Sequence, residues 1–233
     1  MSSDAKPAYD PADLLLFQVV HDVRALLRKS HTRTQILQQQ IEQLCDDSAR
    51  GFFEEVLSSQ RELDRLMVRL AAYAEAGRAA SHEWIKLDVA ILGAKLQMKS
   101  ALEEAGAQLI VSDTAAVRAP APIQSVLAEL IGNSIRFRDP GRPLRIAIST
   151  TPAGDRRRIR LSDNGRGWNR EHSERMFEPL RKLDASPDGF GLGLAIARRT
   201  IEGFGGEIRA ESDSTGGVFL IDIPADDGSI VDS

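Results

Sequence analysis

Cysteine is nearly absent from this sequence: Cys45 is the only one in 233 residues. No intramolecular disulfide can form, and a single thiol suits a reducing compartment. No apolar run approaches the roughly 18 residues that a membrane span needs. The N-terminus, Met-Ser-Ser-Asp-Ala-Lys-Pro, lacks the apolar core of a signal peptide. A cytoplasmic location without a membrane span is therefore expected. Neither sign of charge dominates, with 30 Lys plus Arg against 34 Asp plus Glu and a formal net charge of −4. That balance argues against general nucleic-acid affinity, so no nucleic acid is expected as a partner. No G-x-x-x-x-G-K-[ST] run occurs, which disfavours the P-loop fold. Internal repeats and low-complexity tracts are missing too. The length suits one large domain or two small ones.

The first part of the chain has helical periodicity. Residues 1–10 are polar and are expected to be disordered. Pro11 opens a helix, with Asp10 as its N-cap. Leu16, Val20, Val23, Leu27, Ser30, Thr34, Leu37, Ile41 and Leu44 alternate spacings of four and three. That is a heptad seam with a polar break at Ser30 and Thr34. Cys45-Asp46-Asp47-Ser48 is an acidic turn and N-cap, and a second seam follows at Phe53, Val56, Gln60, Leu63, Met67, Leu70 and Ala74. The pattern predicts an αα-hairpin over 11–80. Leu15, Phe17, Leu26, Ile36, Phe52, Leu57 and Leu66 lie off the seams. Two hairpins packed as a four-helix bundle would cover them, so a homodimer is expected. His21 lies beside the seam, followed by Asp22 and then Arg24. Taken alone, such a histidine reads as a bundle residue at a core edge.

The second part, 81–224, mixes periods. Trp84–Val89 reads as a strand, Ala90–Gly106 as a helix ending at its glycine, and Gln108–Val111 as a strand. Ala119-Pro120-Ala121-Pro122 is a turn into a helix over Ile123–Arg136. Strands Leu144–Thr150 and Arg156–Ser162 are joined by a hairpin at Pro152-Ala153-Gly154-Asp155. A further helix and the strands Glu207–Glu211 and Gly217–Ile223 complete the set. The expected fold class is α+β: a helical hairpin, then an α/β sandwich with helices layered on one face of a mixed sheet. Ala71–Ala80, short and alanine-rich, is the expected hinge, and 225–233 an acidic flexible tail.

Four motifs fall in order within about 65 residues: Glu129-Leu130-Ile131-Gly132-Asn133, Asp163-Asn164-Gly165-Arg166-Gly167, Met176-Phe177-Glu178-Pro179-Leu180 and Gly189-Phe190-Gly191-Leu192-Gly193. Asp163 ends a strand pattern, so its carboxylate can face a pocket and accept a hydrogen bond from an exocyclic amine. The glycines after it let a ligand ring lie on the backbone. The last run precedes an amphipathic helix, Leu194–Ile201. Amide groups at a helix start can approach an anion closely. By itself that run reads as a plain strand-to-helix turn; it is the four together that point to a nucleotide. Glu129 and Asn133, four apart, share one helix face. A carboxamide oxygen can serve as a Mg²⁺ ligand beside phosphates.

These residues resemble the ATP-binding domain of sensor histidine kinases, a branch of the superfamily that includes DNA gyrase and the Hsp90 chaperones. The resemblance covers about 83–224, as N box, G1 box, F box and G2 box in family order. Leu130-Ile131-Gly132-Asn133-Ser134-Ile135-Arg136-Phe137-Arg138 is most similar to the phytochrome-type kinases. Val20-His21-Asp22-Val23-Arg24-Ala25-Leu26-Leu27 resembles the H box of the dimerisation domain.

The resemblance implies a sandwich of the Bergerat type, ATP and Mg²⁺ as cofactors, and phosphorylation of His21 with Asp22 as its proton partner. It implies that Asn133 holds Mg²⁺, that Glu129 orients groups at the γ-phosphate, and that Arg136 supplies the charge of the family's usual Lys. Asp163, Gly165, Gly167, Gly189, Gly191, Gly193 and Leu194 are the further ATP-binding positions it implies. Phe177–Asp188 would be the lid, with Arg181 and Lys182 as phosphate contacts, although Phe190 stands where a small residue is commoner. His31, His82 and His172 are assigned solvated or structural roles. Implied partners are a response-regulator receiver domain, which takes the phosphate on an aspartate, and a separate sensor protein. Leu26 stands where the family often has Pro, and Ala25 where it often has Thr, Asn or Gln. Ala25 cannot orient a water, which argues against phosphatase activity by that route. The alternative is a phosphotransfer or scaffold protein of the same fold that uses no ATP. Such relatives lose the N-box Asn and the G1 Asp, and both are present here. An ATPase or Ser/Thr kinase of the superfamily would leave the His21 hairpin unexplained.

Overall fold

Two long helices open the structure, a computed structural model that describes residues 11–41, 46–76, 83–114, 116–182, 189–213 and 216–225. Helix α1 spans Pro11–Ile41 and α2 spans Asp47–Ala76. The Ala49 N–H donates to Asp46 Oδ1 at 2.8 Å, so the acidic turn caps α2 as its sequence predicts. The helices pack on each other through Val20, Val23, Leu27, Leu57, Met67 and Leu70, which are buried or half-buried. Arg24 Nε reaches Asp64 Oδ1 at 2.9 Å from helix to helix. The polar break in the first seam is a hydrogen-bonded layer. Gln60 Nε2 donates to Ser30 Oγ at 3.0 Å and to Thr34 Oγ1 at 3.3 Å, while Gln60 Oε1 meets His31 Nδ1 at 3.2 Å. Half-buried polar groups at a helix seam are satisfied here by one another.

The chain divides into two units, Met1–Arg78 and Ala79–Ser233. In the second, five strands run in the order β2-β4-β5-β7-β6: β2 (Gln108–Ser112), β4 (Arg145–Ala153), β5 (Arg156–Asp163), β7 (Gly216–Pro224) and β6 (Glu207–Asp213). The β2–β4 pair is parallel and the others antiparallel. Strict alternation fixes which face is covered. Ile146, Ile148, Ile159, Leu161, Phe219 and Ile221 face the helices, while Arg158 and Arg160 lie on the other face. The helices are α3 (Leu87–Gln97), α4 (Lys99–Glu104), α5 (Ile123–Arg136) and α6 (Gly193–Gly203). Helix α5 is buried along Ile123, Val126, Leu127, Leu130, Ile131 and Ser134, an apolar stripe of period 3.6 broken only at its last member. Each fully buried Leu or Ile there contributes about 1.5–3 kcal/mol of transfer free energy.

Four local expectations need correcting. The strand at Trp84 ends at Lys86, and Leu87 already begins α3. The Leu87 N–H is taken by the Val117 carbonyl at 2.9 Å, which turns the chain out of extended form. The single helix expected over 90–106 is two, broken at Met98 with φ −97° and ψ 11°. The turn at 119–122 contains a short strand, β3 (Arg118–Pro120), paired antiparallel with β1 (Trp84–Lys86). Strand β4 also runs on through Pro152 to Ala153, so the β4–β5 turn is Gly154-Asp155, with Gly154 at φ +66°. Expectations for residues 1–10, Cys45, the later hinge (77–80), His82, the later lid (183–188) and the tail beyond 225 lie outside the described residues.

Candidate active site

His21 stands on α1 one residue after the buried Val20, with 66% of its side chain exposed. Helical geometry separates neighbours by about 100°, which puts Val20 in the seam and His21 outside it. His21 Nδ1 lies 3.0 Å from Asp22 Oδ1. Gln18 Nε2 donates to both Asp22 oxygens at 3.1 Å. The hydrogen bond from His21, and next that from Gln18, hold the Asp22 carboxyl below the usual carboxylate range. An ionised carboxylate only accepts, so Nδ1 is the donor of this pair, and in the neutral imidazole the lone pair is on Nε2.

In the second unit, a cavity of about 220 Å³ opens between α5, the end of β5 and the start of α6. Asn133, Asp163, Gly167 and Leu194 all line it, together with Phe137, Trp168, His172, Met176 and Phe219. Asp163 is the last residue of β5. Its Oδ1 accepts the Gly165 N–H at 2.8 Å and the Gly217 N–H at 3.4 Å, and its Oδ2 accepts from Ser134 Oγ at 2.9 Å. Asn133 Nδ2 is buried and has no hydrogen-bond partner among the described residues. A buried donor of that kind calls for a partner, a water or a ligand atom.

The other predicted residues lie around this cavity without lining it. Glu129 sits one turn before Asn133 on α5, half-buried. Arg136 ends α5, and its guanidinium lies against Gly189, where a Cβ would come within 2.6 Å of Nη1. Gly191 has φ +68°, and a Cβ on it would lie 2.4 Å from the Arg181 carbonyl oxygen, so only glycine fits. Gly193 begins α6. Arg181 is ion-paired with Glu178 at 3.3 Å. Met176 and Phe177 are buried, and the Arg198 guanidinium of α6 sits 4.1 Å from the Phe177 ring centre while bonding Glu174 at 3.0 Å. That contact ties the Phe177 turn to α6.

Sequence reasoning missed part of the wall. His172, assigned a solvated or structural role, is half-buried and lines the cavity. Trp168 packs on Phe219 at 5.5 Å between ring centres and donates Nε1–H to Ser173 Oγ at 3.1 Å. Phe219 and Gly217 come from β7, about 50 positions downstream, and no local signal joins them to Asp163. Ser134 and Phe137 stood within a named motif and could have been read from their position beside Asn133.

Residues 119–227 match the family model described as histidine kinase-, DNA gyrase B-, and HSP90-like ATPase. The phytochrome-like protein Cph1 of Synechocystis sp. is 28% identical over 220 residues, 91% of this chain and 29% of that protein. The sensor protein IrlS of Burkholderia pseudomallei is 31% identical over 175 residues, 72% of this chain and 37% of that protein. The chain thus spans about a third of the length of these curated relatives. Among solved structures, full-length ShkA in complex with AMPPNP aligns with TM-score 0.68 at 21% identity, covering 91% of this chain and 45% of that one. The Acinetobacter baumannii histidine kinase AdeS aligns with TM-score 0.60 at 22% identity, covering 86% and 98%. At those identities the structural likeness establishes the fold, and the relatives carry the rest: residues 119–227 form a histidine kinase-, gyrase- and Hsp90-like ATPase domain, and the chain is homologous to sensor histidine kinases.

Proposed function

We propose that this chain is the catalytic core of a two-component signalling kinase. ATP with Mg²⁺ binds in the second unit, the γ-phosphoryl group passes to His21, and it moves on to an aspartate of a response-regulator receiver domain. The observation that carries this reading is the placement of His21: an exposed imidazole whose Nδ1 lies 3.0 Å from the Asp22 carboxylate, so that in the neutral ring Nε2 holds the lone pair that attacks. As the Nε2–P bond forms, the bond from the γ-phosphorus to the bridging oxygen breaks and ADP leaves. Asp22 keeps the ring in the productive tautomer and stabilises the positive charge that develops on it.

The cavity supports the nucleotide half. At about 220 Å³ it is smaller than the roughly 300–1,000 Å³ of most ligand clefts and suits a base, with the phosphates outside it. Asp163 accepts from the exocyclic amine, and Phe137 and Leu194 offer apolar wall to the ring. Asn133 would hold Mg²⁺ through its carboxamide oxygen, with Glu129 near the γ-phosphate and Arg136 supplying positive charge. Among the described residues no group of three or more His, Cys, Asp or Glu could hold a metal by itself. A cation here takes most of its ligands from phosphate and water, and supplies charge neutralisation for the transfer. We assign 11–80 to dimerisation and phosphotransfer and 81–224 to ATP binding. Homodimerisation through the hairpin is supported by Leu15, Phe17, Leu26 and Phe52, which are exposed in the single chain. A separate sensor protein and a cytoplasmic setting complete the reading; among the described residues, no helix is long and apolar enough to cross a membrane.

Incubation with γ-labelled ATP and Mg²⁺ tests this. Wild type is expected to carry label, while His21→Gln and Asn133→Ala carry none. Undiminished label on His21→Gln overturns the acceptor assignment. Calorimetry separates the ATP-independent relay, which would accept phosphate from a partner and bind no ATP.

A further inference from the structure

Ser134 belongs to the helix that carries Asn133, yet its hydroxyl is turned to Asp163. It is 2% exposed, and its Oγ lies 2.9 Å from Asp163 Oδ2 and 3.2 Å from the Leu130 carbonyl oxygen. A helical serine ordinarily bonds the carbonyl four residues back. Here a nearer, charged acceptor competes for its one proton, and charge-assisted bonds are the stronger. The two oxygens of Asp163 are thus held from different sides. Oδ1 takes the N–H groups of Gly165 and Gly217, and Oδ2 has Ser134 as its one protein donor among the described residues. A carboxylate tethered at one oxygen only can still swing about its Cβ–Cγ bond. Fixing the second oxygen aims the remaining lone pairs into the cavity that both residues line.

We infer that Ser134 is a positioning residue for base recognition: it sets the Asp163 carboxylate to discriminate a 6-amino purine from a 6-oxo purine. This rests on the nucleotide-binding reading of the cavity. The 6-amino group donates to a carboxylate oxygen, whereas a 6-oxo group presents a lone pair to it and is repelled. The sharper the aim of the carboxylate, the larger that difference.

The test is calorimetric binding of ATP and inosine triphosphate, with Mg²⁺ and no turnover, to wild type, Ser134→Ala, Ser134→Thr and Asp163→Asn. Alanine suits a helix interior at least as well as serine, so the fold is retained. Ser134→Ala is expected to raise the Kd for ATP about tenfold, the size of one hydrogen bond to a charged group. The Kd for inosine triphosphate should stay within about twofold, so the preference for the amine collapses. Ser134→Thr, which keeps the hydroxyl, should restore it. An unchanged ATP-to-inosine ratio in Ser134→Ala, with a strong preference in wild type that Asp163→Asn abolishes, overturns the role of Ser134 alone. A wild type that binds neither nucleotide, or is indifferent to Asp163→Asn, overturns the nucleotide reading and this inference with it.

Discussion

At position 217 the fold has room for a hydrogen and nothing larger. A Cβ there would lie 2.4 Å from the Trp168 ring and 3.4 Å from Asp163 Oδ2. Gly217→Ala is therefore expected to push the indole off Phe219 and to destabilise the second unit by about 2 kcal/mol, as overpacking does. Urea unfolding followed by tryptophan emission reads both effects. At this scale the sequence was informative where chemistry is written locally. Asp163 stood out because an acid that ends a strand before two spaced glycines serves no ordinary packing purpose. Trp168, Phe219 and Gly217 did not, because an aromatic beside a glycine in separate segments reads as core and turn until the strands are paired. The place of His172 in the cavity wall could not be read for a related reason: a short 3-10 turn, Arg170–His172, has no periodicity that could say which way a side chain points.

Among elements, β5, β6 and β7 are joined across the open face of the sheet by one buried acid. Asp222 is 5% exposed, receives Arg158 Nε at 2.6 Å and Nη2 at 2.7 Å, and receives Arg209 Nη2 at 2.8 Å. The Arg158 hydrogen bonds, opposed by burial and helped by Arg209, hold its carboxyl below the usual carboxylate range. Its folded pKa lies below the unfolded one. The stabilisation it contributes is thus full above the unfolded value and lost as pH falls through the lowered pKa. Arg158→Ala should lower stability at neutral pH, because the buried Asp222 carboxylate loses two of its three guanidinium hydrogen bonds. The difference from wild type should shrink in urea titrations run below the ordinary carboxylate range. The elements themselves were legible in proportion to their length. The boundaries of α5 were readable because an apolar stripe of period 3.6 begins after Pro122 and ends in a charged run. The three-residue strands β1 and β3 carry no alternation. The break at Met98 has neither glycine nor proline to announce it.

For the whole molecule, the outer surface of the hairpin sets the expected assembly. Leu26 is 67% exposed and Phe52 66% exposed, on α1 and α2 respectively. Paired Leu26→Asp and Phe52→Asp substitutions remove little from the single chain. They are expected to turn a dimer into a monomer in analytical ultracentrifugation, with helical circular dichroism kept. A dimer that survives both changes would place its interface elsewhere. The two-part organisation could be read from the sequence as a change of period, from heptads to alternating strands, near residue 80. Assembly could be read only as an excess of apolar residues, because a seam looks the same whether its partner lies in the same chain or another. One feature of the fold joins chemistry to mechanics. The Asp163 carboxylate ends β5, is gripped by a hydroxyl of α5, and receives an amide of β7. Loading that carboxylate with a guest therefore also clamps three elements to one another. Occupancy and stiffness of the second unit become a single variable, and a domain built this way registers its guest as a change in the rigidity of its own frame.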